Sequence, residues 1–558
     1  FGRPARNWFS ARQIDLETAG LKPDTDIQAA PLFPVLNVNE VDEDFIAWLL
    51  AESPNPSRFR DEWLQAPRVS ARDLLMQADV EQLAGQRRRH IARDLAAVNA
   101  EAWGRICTTS DLQAVARLHE TMSCPLPPRA HDGALEAVHD SMFRYALLRR
   151  HNEPSARTFH DEAFARLRDL IVGRMEFDTV KPQRNVLEDQ IVWGRSPVRL
   201  DIAGGWSDTP PYCLESGGKV VNVAVNLNGQ PPIQAFARIC KTPHIVLRSI
   251  DLGIRETIDS YEGLRQRELL GSGFGIARAA LALCGFDPRF HRTEGYSSLA
   301  QQLDLEFGGG IELSMVCAVP KGSGLGTSSI LAATVLGTLA ELSGLHWSQD
   351  DLFSRTLALE QMLTSGGGWQ DQAGGLLHGL KLIETQAGLS QQAVVRWLPD
   401  RLFSEPDVNT RLLLYYTGLT RVAHDILGEI VEGLFLNETE RLNLIDEIRG
   451  NALFAADAIQ RDDWTAVCEC VRRSWRLNQL LDRGTNPPDV ANIVDSIDDL
   501  TAAVKLLGAG GGGYLLILAK DDDAGAKIQQ RLKDTPPNPR ARFVDMSLSK
   551  TGFQVTRS

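Results

Sequence analysis

PKGSGLGTSSILAATVLGTLAELSG, at residues 320–344, gives the strongest structural signal in the sequence. Glycines alternate through its loop at positions 322, 324 and 326, and Thr327 and Ser328 then begin a long apolar helix. Small residues let a backbone approach a ligand closely, and the free N–H groups of a loop and helix start bind anions. The pattern GxxxxGK[ST] is absent, so this is not a Walker A loop. The alternative is a glycine-rich turn that only permits tight helix packing.

A second stretch, SPVRLDIAGGWSDTPPYCLESGGKVVN at 196–222, joins a predicted strand to a rigid turn. Along it lie Arg199, Asp201, Gly205, Trp206 and Asp208. Sugar recognition needs carboxylates that accept hydrogen bonds from neighbouring hydroxyls, held on a rigid backbone. Ordinary turn chemistry, in which an aspartate accepts from backbone N–H groups, would use the same residues.

A third stretch, LEQMLTSGGGWQDQAGGL at 359–376, supplies two more carboxylates. Glu360 lies on a predicted apolar helix, and Asp371 follows eleven residues later in a glycine-rich segment. Beside a phosphate loop, such carboxylates could serve as a general base or as magnesium ligands. An aspartate in a glycine-rich loop is otherwise most often a cap.

A fourth stretch, KLLGAGGGGYLLILAK at 505–520, places four consecutive glycines before an apolar strand. A run of glycines excludes side-chain chemistry and indicates close backbone approach. The approaching group could be a ligand or another strand.

The rest of the chain suggests four segments. Residues 1–40 are polar and rich in proline, which predicts an irregular connector or the remnant of an upstream domain. Apolar residues at three- and four-residue spacing predict an α-helical domain over 41–185, with Ser70 and Ser110 as helix N-caps. Alternating β-branched runs begin near residue 192 and predict strands. We expect a first catalytic lobe over 186–358 and a second over 359–558.

Composition excludes several classes of protein. The chain has 558 residues, of which 43% are hydrophobic, and a formal net charge of −13. This charge argues against a general nucleic-acid binder, and no apolar run reaches the ~20 residues that cross a bilayer. The eight cysteines form no CxxC pair, so reduced thiols and a cytoplasmic location are expected. Starting on Phe1 suggests a fragment of a longer protein.

Taken together and in this order, the four stretches resemble the GHMP kinase superfamily. PKGSGLGTSS is similar to its phosphate loop and LGAGGGGY to its C-terminal glycine motif, and the resemblance covers about residues 190–558. It implies an α+β, two-lobed kinase fold preceded by the helical domain, with ATP and Mg²⁺ as cofactors.

The resemblance also implies roles for individual residues. Asp371 is the expected general base, and Arg199 the cation that faces the reacting hydroxyl and phosphate. The sugar would be bound by Asp208, Asp201, Gly205 and Trp206, and Mg²⁺ by Ser328 and Glu360. The positions implied for ATP are Lys321, Gly322, Ser323, Gly324, Leu325, Gly326, Thr327, Ser328, Gly510 and Gly511.

RLDIAGGWSDTPPY followed by GGKVVNVAVNLNG is similar to fucokinases, including the kinase half of bifunctional fucokinase/GDP-fucose pyrophosphorylases. This implies phosphorylation of L-fucose at its anomeric hydroxyl, to give β-L-fucose 1-phosphate and ADP. A heptose-phosphate or other hexose 1-kinase is the alternative within the superfamily, and a non-catalytic sugar sensor is the alternative outside catalysis. We expect a pyrophosphorylase domain upstream in the full-length protein, and the helical domain to be a scaffold or a homo-oligomer contact.

Overall fold

The computed structural model describes residues 4–558 apart from short gaps at 23–24, 37–41, 78, 123, 132–134, 177–178, 267–272, 293–294, 364–366, 405–409 and 420–423. Contacts divide the chain into two compact units, residues 1–97 and residues 98–558. None of the helices in the described ranges is long and apolar enough to cross a membrane.

The first unit is a small helical structure with one antiparallel strand pair, β1 with β2. Its elements are α1 (Ala5–Ala11), β1 (Pro31–Pro34), α2 (Glu43–Leu50), α3 (Arg60–Gln65), β2 (Arg68–Ser70), α4 (Ala71–Gln77) and α5 (Val80–Ala96). Its core is aromatic: Trp8, Trp48 and Trp63 are buried, and the Arg12 guanidinium lies 4.3 Å from the Trp8 ring. The expected irregular connector over 1–40 therefore contains a helix and a strand, because its aromatic residues are buried in this core.

The helices of the second unit begin before the catalytic motifs and alternate with strands after them. They are α6 (Ala100–Thr109), α7 (Leu112–Met122), α8 (Leu135–Arg150), α9 (Ala156–Glu176), α10 (Tyr212–Ser216), α11 (Tyr261–Arg265), α12 (Gly275–Leu281), α13 (Leu299–Phe307), α14 (Thr327–Leu342), α15 (Gln349–Met362), α16 (Gln370–Leu376), α17 (Arg401–Ser404), α18 (His424–Phe435), α19 (Thr439–Gln460), α20 (Trp464–Leu481), α21 (Pro488–Asp495) and α22 (Asp522–Asp534). A π-helical turn at Ala282–Phe286 and 3₁₀ turns at Pro288–Phe290 and Arg483–Thr485 complete the set.

Three sheets form the strand framework of this unit. The strands are β3 (Val192–Ser196), β4 (Val198–Ala203), β5 (Lys219–Leu227), β6 (Ile233–Cys240), β7 (Ile245–Ser249), β8 (Ile254–Ile258), β9 (Gly310–Cys317), β10 (Leu380–Glu384), β11 (Val394–Trp397), β12 (Leu412–Tyr416), β13 (Thr501–Leu506), β14 (Tyr514–Ala519), β15 (Arg542–Phe543), β16 (Met546–Leu548) and β17 (Gln554–Arg557). One sheet runs β17-β3-β6-β9-β7-β8 and another β13-β14-β12-β15. In the third, β5 pairs with β4, β10 and β16, and β10 also pairs with β11. The predicted α+β architecture with helices before it is confirmed.

The boundary between the units falls inside the predicted helical domain 41–185 rather than at its ends. Helices α6 to α9 share one hydrophobic core with the six-stranded sheet and α14, as Trp103, Phe143 and Leu167 pack in the cluster that holds Ala235 and Leu339. The helices from α6 to α9 are therefore part of the second unit.

The two predicted N-caps have different outcomes. The Ser70 hydroxyl accepts from the backbone N–H of Asp73, at 3.0 Å, so that prediction is confirmed. The Ser110 prediction is wrong, because Ser110 ends α6 and the carboxylate of Asp111 accepts from Ala114 at the start of α7. Both residue types cap helices well, so composition alone did not distinguish neighbours.

Helix α14 lies at the centre of the unit, and its polar residues are paired within the core. The Thr334 and Thr338 hydroxyls donate to carbonyls one turn back, at 2.7 and 2.6 Å. Strand β3 approaches so closely that a Cβ on Gly194 would lie 2.0 Å from the Thr338 hydroxyl oxygen. This packing fixes the start of α14, where the phosphate loop ends.

Candidate active site

A cavity of about 270 Å³ lies where the four motif stretches meet. Most residues predicted for the site line it, namely Arg199, Asp201, Gly205, Trp206, Asp208, Gly322, Ser323, Gly324, Gly326, Thr327, Ser328, Glu360, Asp371 and Gly510. Residues up to 311 apart in the sequence therefore contribute to one wall, since Arg199 and Gly510 are both in it.

Three predicted ATP positions lie elsewhere. Lys321 is exposed beside the loop, and Leu325 is fully buried in the hydrophobic core below it. Gly511 donates its backbone N–H to the carbonyl of Thr485, at 2.9 Å. These residues support the loop and are absent from the cavity lining.

The phosphate loop is held in shape by the C-terminal glycine motif. Gly322, Gly324 and Gly326 all adopt positive φ, and α14 starts directly after Gly326. The Tyr514 N–H donates to the carbonyl of Ser323, at 3.1 Å. The glycine run thus packs on the loop, and its first residue, Gly510, also lines the cavity.

Gly324 gives a direct test of this packing. A Cβ there would lie 2.1 Å from the Leu507 carbonyl oxygen, at φ +80°. We expect Gly324→Ala to displace the loop and to lower ATP-dependent turnover about 10²-fold, because catalysis is sensitive to ~1 Å misplacement. Gly229→Ala is the matched control, since φ is +78° there and a Cβ would meet nothing within 4 Å. Steady-state kinetics that are equal for the two variants would contradict this account of the loop.

Arg199 and Asp371 form an ion pair at the cavity floor. The guanidinium Nε and Nη2 lie 2.8 and 2.6 Å from Asp371 Oδ1, and Nη1 donates to the Gly324 carbonyl at 2.6 Å. The Arg199 side chain is 3% exposed and that of Asp371 is 28% exposed. The arginine is therefore fixed between the carboxylate and the phosphate loop, while the carboxylate still faces the cavity.

Glu360 and Ser328 supply hard oxygen donors on the loop side of the cavity. Glu360 lies within a buried stretch of α15 and is 4% exposed, and Ser328 lies in the first turn of α14. Magnesium in kinases is usually held by one or two carboxylates together with substrate phosphates and waters. The donor chemistry of this pair therefore fits Mg²⁺.

Asp208 joins the sugar-binding turn to the start of α16. Its carboxylate accepts from the N–H of Trp206 at 3.1 Å and from the N–H of Gln370 at 2.9 Å. Burial, together with the negative charges of Asp371 and Asp201, raises the pKa of Asp208 to about 7. Asp208 thus sets the position of the residue next to the expected general base.

Asp201 forms a buried ion pair with Lys505. The Nζ to Oδ2 distance is 2.7 Å, and both side chains are at most 4% exposed. Burial lowers the pKa of Lys505, and the adjacent Asp201 carboxylate limits the shift. Lys505 was not predicted from the sequence, although a lysine in an otherwise apolar strand is itself a signal that a buried partner exists.

The cavity wall contains polar atoms that no described residue satisfies. They are Asp201 Oδ1, Ser323 Oγ and Gln370 Oε1. Leaving such a buried group unpaired costs about 1–3 kcal/mol, so the wall is suited to a polar ligand. Gln370 was also missed from the sequence, although it directly precedes Asp371.

Gly205 and Trp206 shape the opening beside these atoms. A Cβ on Gly205 would lie 2.7 Å from Asp201 Oδ2 and 3.0 Å from the Gln370 side-chain nitrogen, so glycine is required to keep this space. Trp206 adopts a φ of +85°, a conformation that costs a non-glycine residue roughly 1–2 kcal/mol. Strain of this kind persists at sites where the surroundings fix it.

Comparison with known families agrees with this geometry. Residues 294–379 match the GHMP kinases N terminal domain, and residues 455–538 match the GHMP kinases C terminal domain. The first match contains the phosphate loop, Glu360 and Asp371, and the second contains the glycine run. The chain thus contains segments that match both the N-terminal and the C-terminal GHMP kinase domains.

Among curated proteins, the chain is similar to two bifunctional proteins. It is 44% identical to the L-fucokinase/L-fucose-1-P guanylyltransferase of Bacteroides fragilis over 559 residues, which is 100% of this chain and 58% of that protein. It is 32% identical to the bifunctional fucokinase/GDP-fucose pyrophosphorylase of Arabidopsis thaliana over 61% of this chain and 31% of that protein. The chain therefore spans 58% and 31% of the lengths of these two relatives.

A third relative is named for a kinase activity alone. The D-glycero-alpha-D-manno-heptose 7-phosphate kinase of Campylobacter jejuni is 24% identical over 57% of this chain and 86% of that protein.

Proposed function

We propose that this chain phosphorylates L-fucose at the anomeric hydroxyl, using ATP and Mg²⁺. The observation that carries the proposal is the Arg199–Asp371 pair, which faces a 270 Å³ cavity directly beside the phosphate loop. A cation, a carboxylate and a helix start in one cavity are the parts that phosphoryl transfer to an alcohol requires.

Each of these groups would have one role in the reaction. Backbone N–H groups at the start of α14 would bind the phosphates of ATP, and Arg199 would stabilise charge on the transferring group. The sugar hydroxyl oxygen would form a bond to the γ-phosphorus while the bond to the β,γ-bridging oxygen breaks and ADP leaves. Asp371 would accept the hydroxyl proton. Mg²⁺ held by Glu360 and Ser328 would neutralise phosphate charge when bound.

Two observations support L-fucose as the sugar. Both bifunctional relatives carry fucokinase in their names, and one of them matches over the whole of this chain. The cavity also presents the Asp201 and Asp208 carboxyls and the Gln370 amide, which are groups that bind sugar hydroxyls. The match to the Campylobacter jejuni enzyme makes a heptose-phosphate kinase the second candidate.

We also propose that this chain is joined to a nucleotidyltransferase in a longer protein, because the names of both bifunctional relatives pair the two activities, while the upstream position stays a prediction. Such a partner would consume the sugar 1-phosphate that this chain makes. The homo-oligomer contact and the cytoplasmic location stay predictions.

The proposal is tested by ADP release from ATP across L-fucose, D-arabinose, D-galactose and a heptose phosphate, with and without a chelator of Mg²⁺. We expect the highest kcat/KM with L-fucose and loss of turnover on chelation. A preference for the heptose phosphate would select the second candidate, and binding without turnover of any sugar would leave only a sensor.

A further inference from the structure

The substrate-binding turn, defined as residues 204–209, is followed closely by helix α10. With five residues, α10 is too short to be stable without tertiary contacts. From α19, Asp446 accepts from the tyrosine hydroxyl that begins α10, at 2.5 Å, and Arg449 donates to the carbonyl of its last residue, at 2.7 Å. The third contact is a hydrogen bond between Glu215 of α10 and a side chain of helix α8. The position of the turn thus depends on both neighbours.

His139 makes this third contact from a fully buried position in α8. Its Nε2 lies 2.8 Å from Glu215 Oε1, and its Nδ1 lies 2.7 Å from the carbonyl oxygen of Phe435. A carboxylate and a carbonyl can only accept, and a neutral imidazole has only one N–H to donate. Both hydrogen bonds therefore require the doubly protonated ring, whose charge the Glu215 carboxylate balances.

The same ring connects three elements around the site. Phe435 is the last residue of α18, and a cation near a helix C-terminus is favourable. Ile430 and Leu434 of that helix pack in one apolar cluster with Trp206 and with the first residue of α10. Through His139, helix α8 therefore contacts both helix α10, which follows the substrate-binding turn, and helix α18, which packs against Trp206 of that turn.

Two further contacts tie the end of α18 to the same group of helices. The Leu112 N–H of α7 donates to the carbonyl of Leu436, at 2.8 Å, and the Asn437 side chain donates to the carbonyl of Cys107 in α6, at 2.8 Å. Helices α6, α7 and α8 therefore all contact the segment that backs the cavity.

We propose that the protonated His139–Glu215 pair positions the substrate-binding turn, and that helices α6 to α8 are for this reason a working part of the sugar site. His139 is a positioning residue, since it touches neither substrate. The inference rests on the proposed function only for the identity of the sugar.

A dependence on pH follows from the charge of the ring. Burial opposes protonation of His139, yet the Glu215 carboxylate, the Phe435 carbonyl and the nearby Glu136 raise its pKa above the ordinary 6.5. A group whose pKa is raised on folding stabilises the folded state at pH values below its unfolded-state pKa. That contribution is lost as the pH rises through its folded-state pKa. The remaining charged groups near the contact are Asp140 on α8, paired with Arg144, and the Asp446–Arg449 pair beyond α10. The sugar KM should therefore rise on the alkaline side.

Three variants separate positioning from general packing. His139→Gln retains at most one of the two contacts, and we expect a sugar KM that is about tenfold above the wild-type value at low pH and does not change with pH, with kcat and the ATP KM within about twofold. Glu215→Gln supplies an amide N–H that can donate to Nε2 of a neutral ring, so we expect a wild-type KM without the alkaline rise. His160→Gln is the control, because His160 contacts Glu432 of α18 but not α10.

Hydrogen exchange of the α10 amides gives a readout that is independent of the sugar. With exchange corrected for intrinsic rates, protection in the wild type should fall as pH rises, stay constant in Glu215→Gln, and be low and independent of pH in His139→Gln. An alkaline KM rise that persists in Glu215→Gln, or kinetics of His139→Gln equal to those of His160→Gln, would overturn the proposal. If no sugar is phosphorylated by the wild type, the proposed function fails, while exchange still decides the role of His139.

Discussion

Asp371→Asn is expected to lower kcat with L-fucose by about 10²–10⁴-fold, the usual contribution of a general base. The amide cannot take up the proton that leaves the sugar hydroxyl. Its oxygen can still accept from the Arg199 Nε, which lies 2.8 Å from Oδ1 in the native carboxylate, so the site keeps its shape. We therefore expect the KM values for sugar and ATP to change by less than about threefold. Steady-state kinetics with both substrates varied measure these changes.

Asp457→Asn is the matched control for this substitution. Asp457 is 62% exposed and paired with Arg461, at 2.8 Å, one turn away on α19. Exposed pairs of this kind contribute little, so we expect unchanged kinetics. A kcat of Asp371→Asn within threefold of the wild type would rule out the assignment of Asp371 as general base.

Arg199→Gln is expected to lower kcat by about 10²–10³-fold, comparable to the removal of one preorganised donor from a transition state. Arg199 contacts both Asp371 and the Gly324 carbonyl from a position that is 3% exposed. The substitution removes the charge that opposes negative charge on the transferring phosphate. Arg199→Lys keeps the charge but loses the forked geometry, so we expect an intermediate kcat.

Arg238→Gln provides the comparison for loss of an arginine from a strand. Arg238 is 54% exposed and paired with Glu312 on the neighbouring strand β9. Pre-steady-state measurement of the transfer step distinguishes chemistry from product release. A transfer rate of Arg199→Gln equal to that of Arg238→Gln would remove Arg199 from the catalytic mechanism.

Short-range patterns predicted the elements that carry the site. The apolar and β-branched runs at 191–205 and 218–228 predicted strands, and the glycine loop before Thr327 predicted the start of α14, since these signals depend on neighbours in the sequence. Glu360 and Asp371 were located because a fixed spacing relates them. Each of these predictions involves residues at most about a dozen apart.

Such local patterns could not predict contacts between residues that are far apart in the sequence. Lys505 pairs with Asp201 across 304 residues, and no local signal specifies which carboxylate a buried lysine meets. The same holds for His139, whose partners lie 76 and 296 residues away. The boundary at 97 was missed for a related reason, because amphipathic periodicity shows that a helix is buried but not which core it joins.

The reaction proposed for this chain is transfer of the γ-phosphate of ATP to the anomeric oxygen of L-fucose. Phosphorus NMR of the product from L-fucose, ATP and Mg²⁺ tests it most directly, with the wild type and Asp371→Asn run side by side. We predict a sugar monophosphate signal split by the anomeric proton, formed by the wild type and strongly reduced in the variant. A phosphate coupled to a different sugar carbon, or ADP formed with inorganic phosphate alone, would contradict the claim.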